Sequence, residues 1–247
     1  MARSKIEWTE SSWNPVTGCT KISEGCRHCY AERLAKRLRS MGRANYENGF
    51  QLTLHENALE IPLRWTRAQM VFACSMSDLF HEDVPDSFVL KVFKTMHMAK
   101  QHCFQVLTKR PERMKNLNTA IEWPTNVWAG VTVESSKYLD RIPHLLDTGV
   151  QTKFLSLEPL LSPIADIPLD GIDWVIVGGE SGPQSRPMDP QWVKTIRDAC
   201  VDSSVPFFFK QWGGKNKKKA GRLLEGRTWD GFPQALMIDD QQMPLPA

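Results

Sequence analysis

The sequence contains no long hydrophobic run. None of its 247 residues belong to a segment that approaches the roughly 20 consecutive apolar residues of a membrane span. The opening residues, Met1 to Trp8, lack the apolar core of a secretory signal. We therefore expect a cytoplasmic protein with no membrane partner.

The sequence also has little excess charge of either sign. Its 31 lysines and arginines against 28 acidic residues leave a formal charge of +3, which is too small to indicate nucleic-acid binding by itself. Positive charge is denser near the C-terminal end, in Lys215-Asn-Lys-Lys-Lys219 and at Arg222 and Arg227. Most such runs are solvated loops, so this one is a candidate contact that needs further support.

Cysteines are few, and their spacing is uneven. Cys74, Cys103 and Cys200 lie far apart in apolar surroundings and are typical of core residues, whereas Cys19, Cys26 and Cys29 fall within eleven residues. A disulfide framework is not expected in a reducing compartment. A closed structural zinc site needs four ligands, but an iron–sulfur cluster held by three cysteines keeps one iron open to another molecule. The missing fourth cysteine therefore favours a cluster.

Short apolar runs alternate with helical patterns along most of the chain, and 41% hydrophobic residues suffice for a core. The predicted strands are Met70–Ser75, Cys103–Leu107, Val127–Val133, Lys153–Leu157, Trp174–Val177 and Val205–Phe209, preceded by a short opening strand at Lys5–Thr9. The predicted helices are Tyr30–Gly42, Ser87–Lys100, Tyr138–Leu146 and Trp192–Val201. The turn-rich segment Ser12–Gly18 predicts a loop.

This alternation predicts an α/β fold with parallel strands and right-handed crossovers. About six to seven strands are too few for eight βα units, so we expect a partial or irregular parallel (β/α) barrel, with a doubly wound open sheet as the alternative. We place the barrel and its N-terminal cysteine loop at residues 1–213. Residues 214–247 form a basic, glycine-rich C-terminal extension and not a separate domain.

Ionisable groups follow the carboxyl ends of the predicted strands. They are Ser77-Asp78, Thr108-Lys109-Arg110, Glu134-Ser135, Glu158-Pro159, Gly178-Gly-Glu-Ser181 and Lys210-Gln211. Loops require only small turn-forming residues, so repeated lysines and glutamates at these positions predict a functional rim. Carboxylates there suit an ammonium group, and Lys109 or Arg110 suits a carboxylate.

Four sequence motifs resemble the radical S-adenosylmethionine (radical SAM) superfamily, most closely its phage-associated three-Cys-motif family. These motifs are Trp13-Asn-Pro-Val-Thr-Gly-Cys19, Cys26-x-x-Cys29-Tyr-Ala-Glu32, Ser75-Met-Ser-Asp-Leu-Phe-His81 and Val177-Gly-Gly-Glu-Ser-Gly182. The resemblance runs from about Trp8 to Pro233. It implies that Cys19, Cys26 and Cys29 bind a [4Fe-4S] cluster, whose open iron binds SAM. It further implies reductive cleavage of SAM to a 5′-deoxyadenosyl radical, with an external reductant such as flavodoxin or ferredoxin as partner.

The resemblance also suggests roles for the rim. Gly178, Gly179 and Glu180 resemble the glycine-rich SAM-contacting motif, with Ser77 and Asp78 as rivals for the SAM amino group, and Lys109, Glu134 and Glu158 complete the expected cofactor-binding set. Asp78, Lys109, Glu158 and Lys210 are the expected catalytic residues. The first two cysteines depart from the commonest superfamily spacing, because six residues separate them instead of three.

Two other classes of protein remain open at this point. A zinc-stabilised nucleic-acid-binding protein needs a fourth ligand, for which His28 and His81 are candidates. A metal-dependent hydrolase would use Asp78, Glu134 and Glu158, although no His-x-His pair accompanies them. For the substrate, Lys210, Trp212, Arg222, Arg227 and Trp229 favour nucleic acid, because cations neutralise phosphates and indoles stack on bases. A peptide or small metabolite is the alternative.

Overall fold

The fold is built around one parallel sheet of seven strands that are adjacent in the same order as in the chain. The computed structural model describes residue 4 and residues 6–233. The strands of the sheet are β1 (Ser11–Trp13), β4 (Met70–Ala73), β5 (Cys103–Thr108), β6 (Val127–Thr132), β7 (Thr152–Leu157), β8 (Trp174–Gly178) and β9 (Phe207–Gln211). β1 and β9 are the two edges, so the sheet is open. It is curled into a half-barrel. The predicted partial barrel is confirmed.

Helices connect the strands and cover the convex face of the sheet. They are α1 (Tyr30–Ser40), α2 (Asp86–Met98), α3 (Pro111–Asn116), α4 (Arg141–Leu146), α5 (Pro190–Asp202) and the short α6 (Lys217–Ala220). The apolar side of α2, including Val89, Val92 and Met96, is fully buried against the strands. α5 begins where the Asp189 carboxylate accepts a hydrogen bond from the Gln191 backbone N–H. Burial of one apolar stripe fixes α2 and α5 on the sheet, whereas α1 packs through Ala31 and Ala35 against Met76.

The concave face carries a second, aromatic core. Because side chains alternate across a strand, every second residue points inward. The inward cluster contains Trp8, Met70, Phe72, Cys103, Trp128, Phe154, Trp174, Ile176 and Phe208. Trp174 is in edge contact with Trp8, Trp128 and Phe208, and Phe232 also packs against it. These rings fill the amino-terminal half of the half-barrel, which leaves its carboxyl end for a site.

The start of the chain differs from the prediction. Residues 6–9 are not a strand; instead the sheet begins at Ser11, and the next two residues of that strand, Ser12 and Trp13, lie in the segment predicted to be a loop. Ser11–Trp13 pairs with Val71–Ala73, while Trp8 leaves the ladder and inserts its indole into the concave aromatic cluster. Val16–Thr17 (β2) also lies in the predicted loop and pairs antiparallel with Thr53–Leu54 (β3). The tertiary packing of Trp8 and Trp13, and not local strand propensity, determines where the first strand lies.

Most other boundaries were predicted to within a few residues. Helix α1 ends at Ser40 and is followed by Gly42 at φ +67°, a conformation that favours glycine. The segment Tyr138–Leu146 is divided between a short turn at Ser136–Tyr138 and α4. Helix α3 was not predicted, because its six residues show no apolar period long enough to detect.

Residues 214–233 pack onto the last strands. Asp230 forms an antiparallel backbone bridge with Phe208 of β9, and the Trp174 indole N–H donates to the Gly231 carbonyl at 2.7 Å. Residues 234–247 of the predicted extension lie outside the described part of the chain. Within the described part, no helix is long and apolar enough to cross a membrane.

Gly130 on β6 allows β6 and β7 to lie close together. A side-chain carbon at this position would lie 2.6 Å from both the ring and the carbonyl oxygen of Phe154, which is closer than packed atoms approach. Gly130→Ala is therefore expected to lower the free energy of unfolding by about 1–3 kcal/mol in urea denaturation. Gly149→Ala, near the half-buried indole of Trp123, is the matched control and should cost less. Equal costs would contradict this account.

Candidate active site

A cavity of about 400 Å³ opens at the carboxyl ends of the strands, and all three clustered cysteines line it. Its wall also includes the predicted rim residues Ser77, Asp78, Lys109, Glu158, Gly179, Glu180 and Lys210. Two predicted residues, Gly178 and Glu134, do not line it, because they lie behind the wall. The structure thus brings together the cysteine loop and the tips of β4, β5, β7, β8 and β9.

The cysteine loop is attached to the sheet at Gly18. This residue has φ +81° and forms a parallel bridge with Ser77, whose hydroxyl donates to the Gly18 carbonyl at 2.5 Å. A side chain at position 18 would overlap the Gln51 backbone, so only glycine fits. Cys26 ends a short turn that begins at Glu24, and Cys29 is the N-cap residue of α1. The three cysteines are free thiols and half-buried.

The three thiols have different electrostatic surroundings. Burial, together with the Asp78 charge, raises the pKa of Cys19 to about 11. Burial also raises the pKa of Cys29, although the backbone N–H groups of Glu32 and Ala31 partly offset it. For Cys26 burial is outweighed by the Lys109 cation and by hydrogen bonding from Ser23, so its pKa lies below the usual value.

Arg110 connects the cysteine loop to Asp78. Its Nη1 contacts the Cys19 sulfur at 3.5 Å and the Asp78 carboxylate at 3.3 Å, while Nη2 donates to the Thr20 hydroxyl at 2.8 Å. Asp78 also accepts hydrogen bonds from the Thr108 hydroxyl and from the backbone N–H groups of Phe80 and Lys109. These four donors hold the Asp78 carboxylate in place, and the carboxylate in turn positions Arg110.

Glu134 lies beneath the loop and is fully buried. It accepts from Lys109 Nζ and the Ser23 hydroxyl on one oxygen, and from Arg141 Nη1 at 2.8 Å on the other. Burial would raise the pKa of this carboxyl, but the Lys109 and Arg141 cations outweigh it and hold the pKa below its ordinary value. Gly25 rests directly on Glu134, since a side chain there would clash with the carboxylate. Glu134 therefore supports the cysteine loop from below.

Glu158 and Lys210 form an ion pair on the cavity wall. Lys210 Nζ lies 2.8 Å from Glu158 Oε1, and the other oxygen accepts from the Trp8 indole N–H at 3.3 Å and the Ser156 hydroxyl at 3.1 Å. The Lys210 and Glu158 side chains are 18% and 13% exposed to solvent. Both charges can therefore still contact a molecule in the cavity.

The Gly178-Gly-Glu180 segment begins at the last residue of β8 and continues into the loop that follows it. A side chain at Gly178 would meet Glu158 Oε1, and one at Gly179 would overlap the Trp212 carbonyl. Glu180 accepts from Arg186 through both carboxylate oxygens, with Nε at 3.0 Å. Burial would raise the pKa of Glu180, but the Arg186 hydrogen bonds lower it. The two glycines permit close packing. Arg186 already binds the Glu180 carboxylate, which the resemblance predicts to contact SAM.

The two alternative metal sites fit the geometry less well. His81 Nδ1 accepts from the Asp83 backbone N–H at 3.1 Å and Nε2 contacts the Thr20 hydroxyl at 2.9 Å, so both ring nitrogens are engaged. His28 lines the cavity. Asp78, Glu134 and Glu158 each face a different cation. Among residues 4 and 6–233, no three His, Cys, Asp or Glu side chains are placed to share one metal ion, and this includes Cys19, Cys26 and Cys29. A four-iron cluster does not require such a placement, because each cysteine binds a different iron.

Several site residues were missed at the sequence level. Glu134 accepts hydrogen bonds from Ser23 and Arg141. Glu180 accepts from Arg186, and Glu158 accepts from the Trp8 indole N–H. Arg141 lies in a helix and Arg186 in an irregular segment, away from any strand tip. The available signal was the group of carboxylates at the predicted strand ends, because a carboxylate that becomes buried requires a cation or another hydrogen-bond donor.

The fold and site define a parallel half-barrel whose three-cysteine loop opens on a cavity with both charged and apolar side chains in its wall. The chain belongs to the family described as "Protein of unknown function (DUF5131)", whose model matches residues 3–233. No curated protein matches the sequence. The family description carries no phage association, so that part of the resemblance stays a prediction.

Two solved structures share part of the fold. One is spore photoproduct lyase complexed with dinucleoside spore photoproduct, at 12% identity and a TM-score of 0.49, covering 80% of this chain. The other is a mutant of spore photoproduct lyase with bound AdoMet and dinucleoside spore photoproduct, at 11% identity and a TM-score of 0.43, covering 76% of this chain. The matched region spans 62% and 59% of those chains.

Proposed function

We propose that this protein is a radical SAM enzyme that modifies or repairs a nucleic acid. One observation carries the proposal: three thiols from one short loop line a single cavity together with the charged tips of a parallel half-barrel. That combination offers sulfur ligands for a cluster and polar groups for a charged cofactor in the same space.

The donor set fits a [4Fe-4S] cluster. Cys19, Cys26 and Cys29 supply three sulfur ligands, and the Arg110 guanidinium donates to the Cys19 sulfur, which suits a bound thiolate. The chemistry supplied by such a cluster, when bound, is one-electron reduction of SAM, which splits it into methionine and the 5′-deoxyadenosyl radical that abstracts a substrate hydrogen atom. The electron would come from an external reductant such as flavodoxin or ferredoxin.

Among the predicted rim residues, Glu158 and Lys210 are best placed to bind the amino-acid part of SAM. The ammonium group requires an acceptor and the carboxylate requires a cation, and this partly exposed ion pair supplies both. Asp78 and Glu134 act as positioning residues, because their oxygens are already taken by Arg110, Lys109 and Arg141. Ser77 positions the loop through Gly18. Gly178 and Gly179 let Glu158 and Trp212 pack closely.

The test is anaerobic reconstitution of the full chain with iron and sulfide. We expect about four irons per chain and release of 5′-deoxyadenosine when dithionite and SAM are added. The matched reaction without dithionite should release none, because the cleavage needs one electron. A colourless protein that binds stoichiometric zinc and leaves SAM intact would contradict the proposal and favour the zinc alternative.

A further inference from the structure

A basic surface lies beside the mouth of the cavity, and its residues come from two distant parts of the sequence. We name it the basic rim and define it as Arg33, Arg37, Arg39 and Arg43 from α1 and the segment after it, with Lys215 and Lys219 from the segment after β9. All six side chains are exposed. The sequence showed the second group as a local run but gave no reason to join it to the first.

The turn after Glu180 joins the two groups. Arg33 Nη2 donates to the Ser181 carbonyl at 2.7 Å, and Ser181 forms a parallel bridge with Gly214. The Gly182 N–H also donates to the Gly214 carbonyl at 3.0 Å. Lys215 follows Gly214 directly, so the two groups flank the same short turn. Ser181 and Cys29, the residue that precedes α1, both line the cavity.

The positive charge of α1 is not neutralised locally. Glu32, the acidic residue of the helix, is engaged by Lys21 and Lys36. In the part of the chain that the structure describes, Arg37, Arg39 and Arg43 contact no carboxylate. Arg33 and Arg37 are one helical turn apart, about 6 Å along the axis. Arg39, two residues beyond Arg37, points to another side of the helix. Exposed guanidinium groups without a carboxylate partner suit a polymer of phosphates, because each can bind one phosphate bidentately and release its counterions.

We propose that the basic rim binds the phosphate backbone of a nucleic acid and places it across the cavity mouth. This inference rests on the proposed function for the nature of the substrate, and it identifies the surface that holds the polymer. It also moves the main contact from the segment after β9 alone to α1.

The experiment is a fluorescence-anisotropy titration of a labelled 20-nucleotide single strand and its duplex with the full chain, repeated over a NaCl series. Arg37→Gln, Arg39→Gln and Arg43→Gln are combined in one variant. The matched control combines Arg67→Gln, Lys94→Gln and Lys100→Gln, exposed residues outside the basic rim that remove the same charge. We expect the rim variant to lose at least about tenfold in affinity at 0.1 M salt. Its log–log salt slope should fall by about two to three, while the control changes little.

Several outcomes separate this inference from the proposed function. If wild type binds neither strand nor duplex, or if the control loses as much affinity as the rim variant, the inference is wrong, even where SAM is still cleaved. If binding follows the rim but no 5′-deoxyadenosine forms, the surface stands and the radical chemistry fails. Thermal unfolding checks that the rim variant is folded. Should it not be, Arg37→Gln alone is expected to lower the salt slope by about one, and an unchanged slope would overturn the inference.

Discussion

Glu134→Ala is expected to lower the free energy of unfolding by about 3–5 kcal/mol. The carboxylate is fully buried and accepts hydrogen bonds from Lys109 and Arg141, whose side chains are 21% and 8% exposed. Removing it leaves two largely buried cations without a counter-charge, which costs more than the ion pairs themselves contribute. Urea denaturation of the metal-free chain measures the effect. Glu56→Ala is the matched control, because it breaks an exposed pair with Lys91 and should cost less than about 1 kcal/mol.

The same residue gives this stability a pH dependence of known sign. The pKa of Glu134 is lowered in the folded protein because Lys109 and Arg141 outweigh the cost of burial. Its contribution is therefore complete above the ordinary carboxyl pKa and is lost as the pH falls through the lowered value. The stability difference between wild type and Glu134→Gln should shrink on acidification. A difference that is constant from pH 7 to pH 3 would contradict the assignment, as would a cost below 1 kcal/mol for Glu134→Ala.

Replacing any one of Cys19, Cys26 and Cys29 with alanine is expected to abolish both cluster loading and release of 5′-deoxyadenosine. The three sulfurs line one cavity, and the fourth cysteine of its wall, Cys74, is only 2% exposed and does not belong to the cysteine loop, so it is not expected to replace a lost ligand. Iron content, visible absorption and product analysis after anaerobic reconstitution measure the loss. Cys200→Ala, in the buried face of α5, should retain iron.

The metal-free fold should survive these cysteine substitutions. The three side chains are only half-buried, and the loop is held independently by Gly18, Ser23 and Arg110. Thermal unfolding of the metal-free variants should therefore match that of the metal-free wild type. A structural zinc site predicts the reverse, because its metal supplies folding energy. Unfolding of the wild type on metal removal would thus favour zinc.

Sequence patterns were sufficient for the sheet but not for the beginning of the chain. Strands such as Val127–Thr132 and Trp174–Gly178 are buried on both faces, so they are recognisable as continuous apolar runs. Ser11–Trp13 is short and lies among turn-forming residues, and its pairing with β4 depends on contacts some 60 residues away. No local signal encodes such a contact.

For the site, the sequence identified which residues gather but not which partners they have. Strand tips converge in any parallel sheet, which is why Asp78, Lys109, Glu158 and Lys210 could be placed at one rim. The pairing of Glu158 with Lys210, and of Glu134 with Arg141, depends on side-chain directions set by the curvature of the sheet. That curvature also separates the buried Glu134 from the cavity, although its position at a strand tip resembles that of the others.

Trp8 lies before β1 and belongs to the barrel interior. Its ring packs on Phe72 of β4 and on Trp174 of β8, and its indole N–H reaches Glu158. The first and last strands of the open sheet do not pair, so this indole acts as a strut between the two halves of the curve. Shortened versions that begin after Trp8 would lose the strut together with one hydrogen-bond donor to the cavity wall. Expression designs for this protein should therefore keep the segment intact and separate any N-terminal tag from it by a flexible linker.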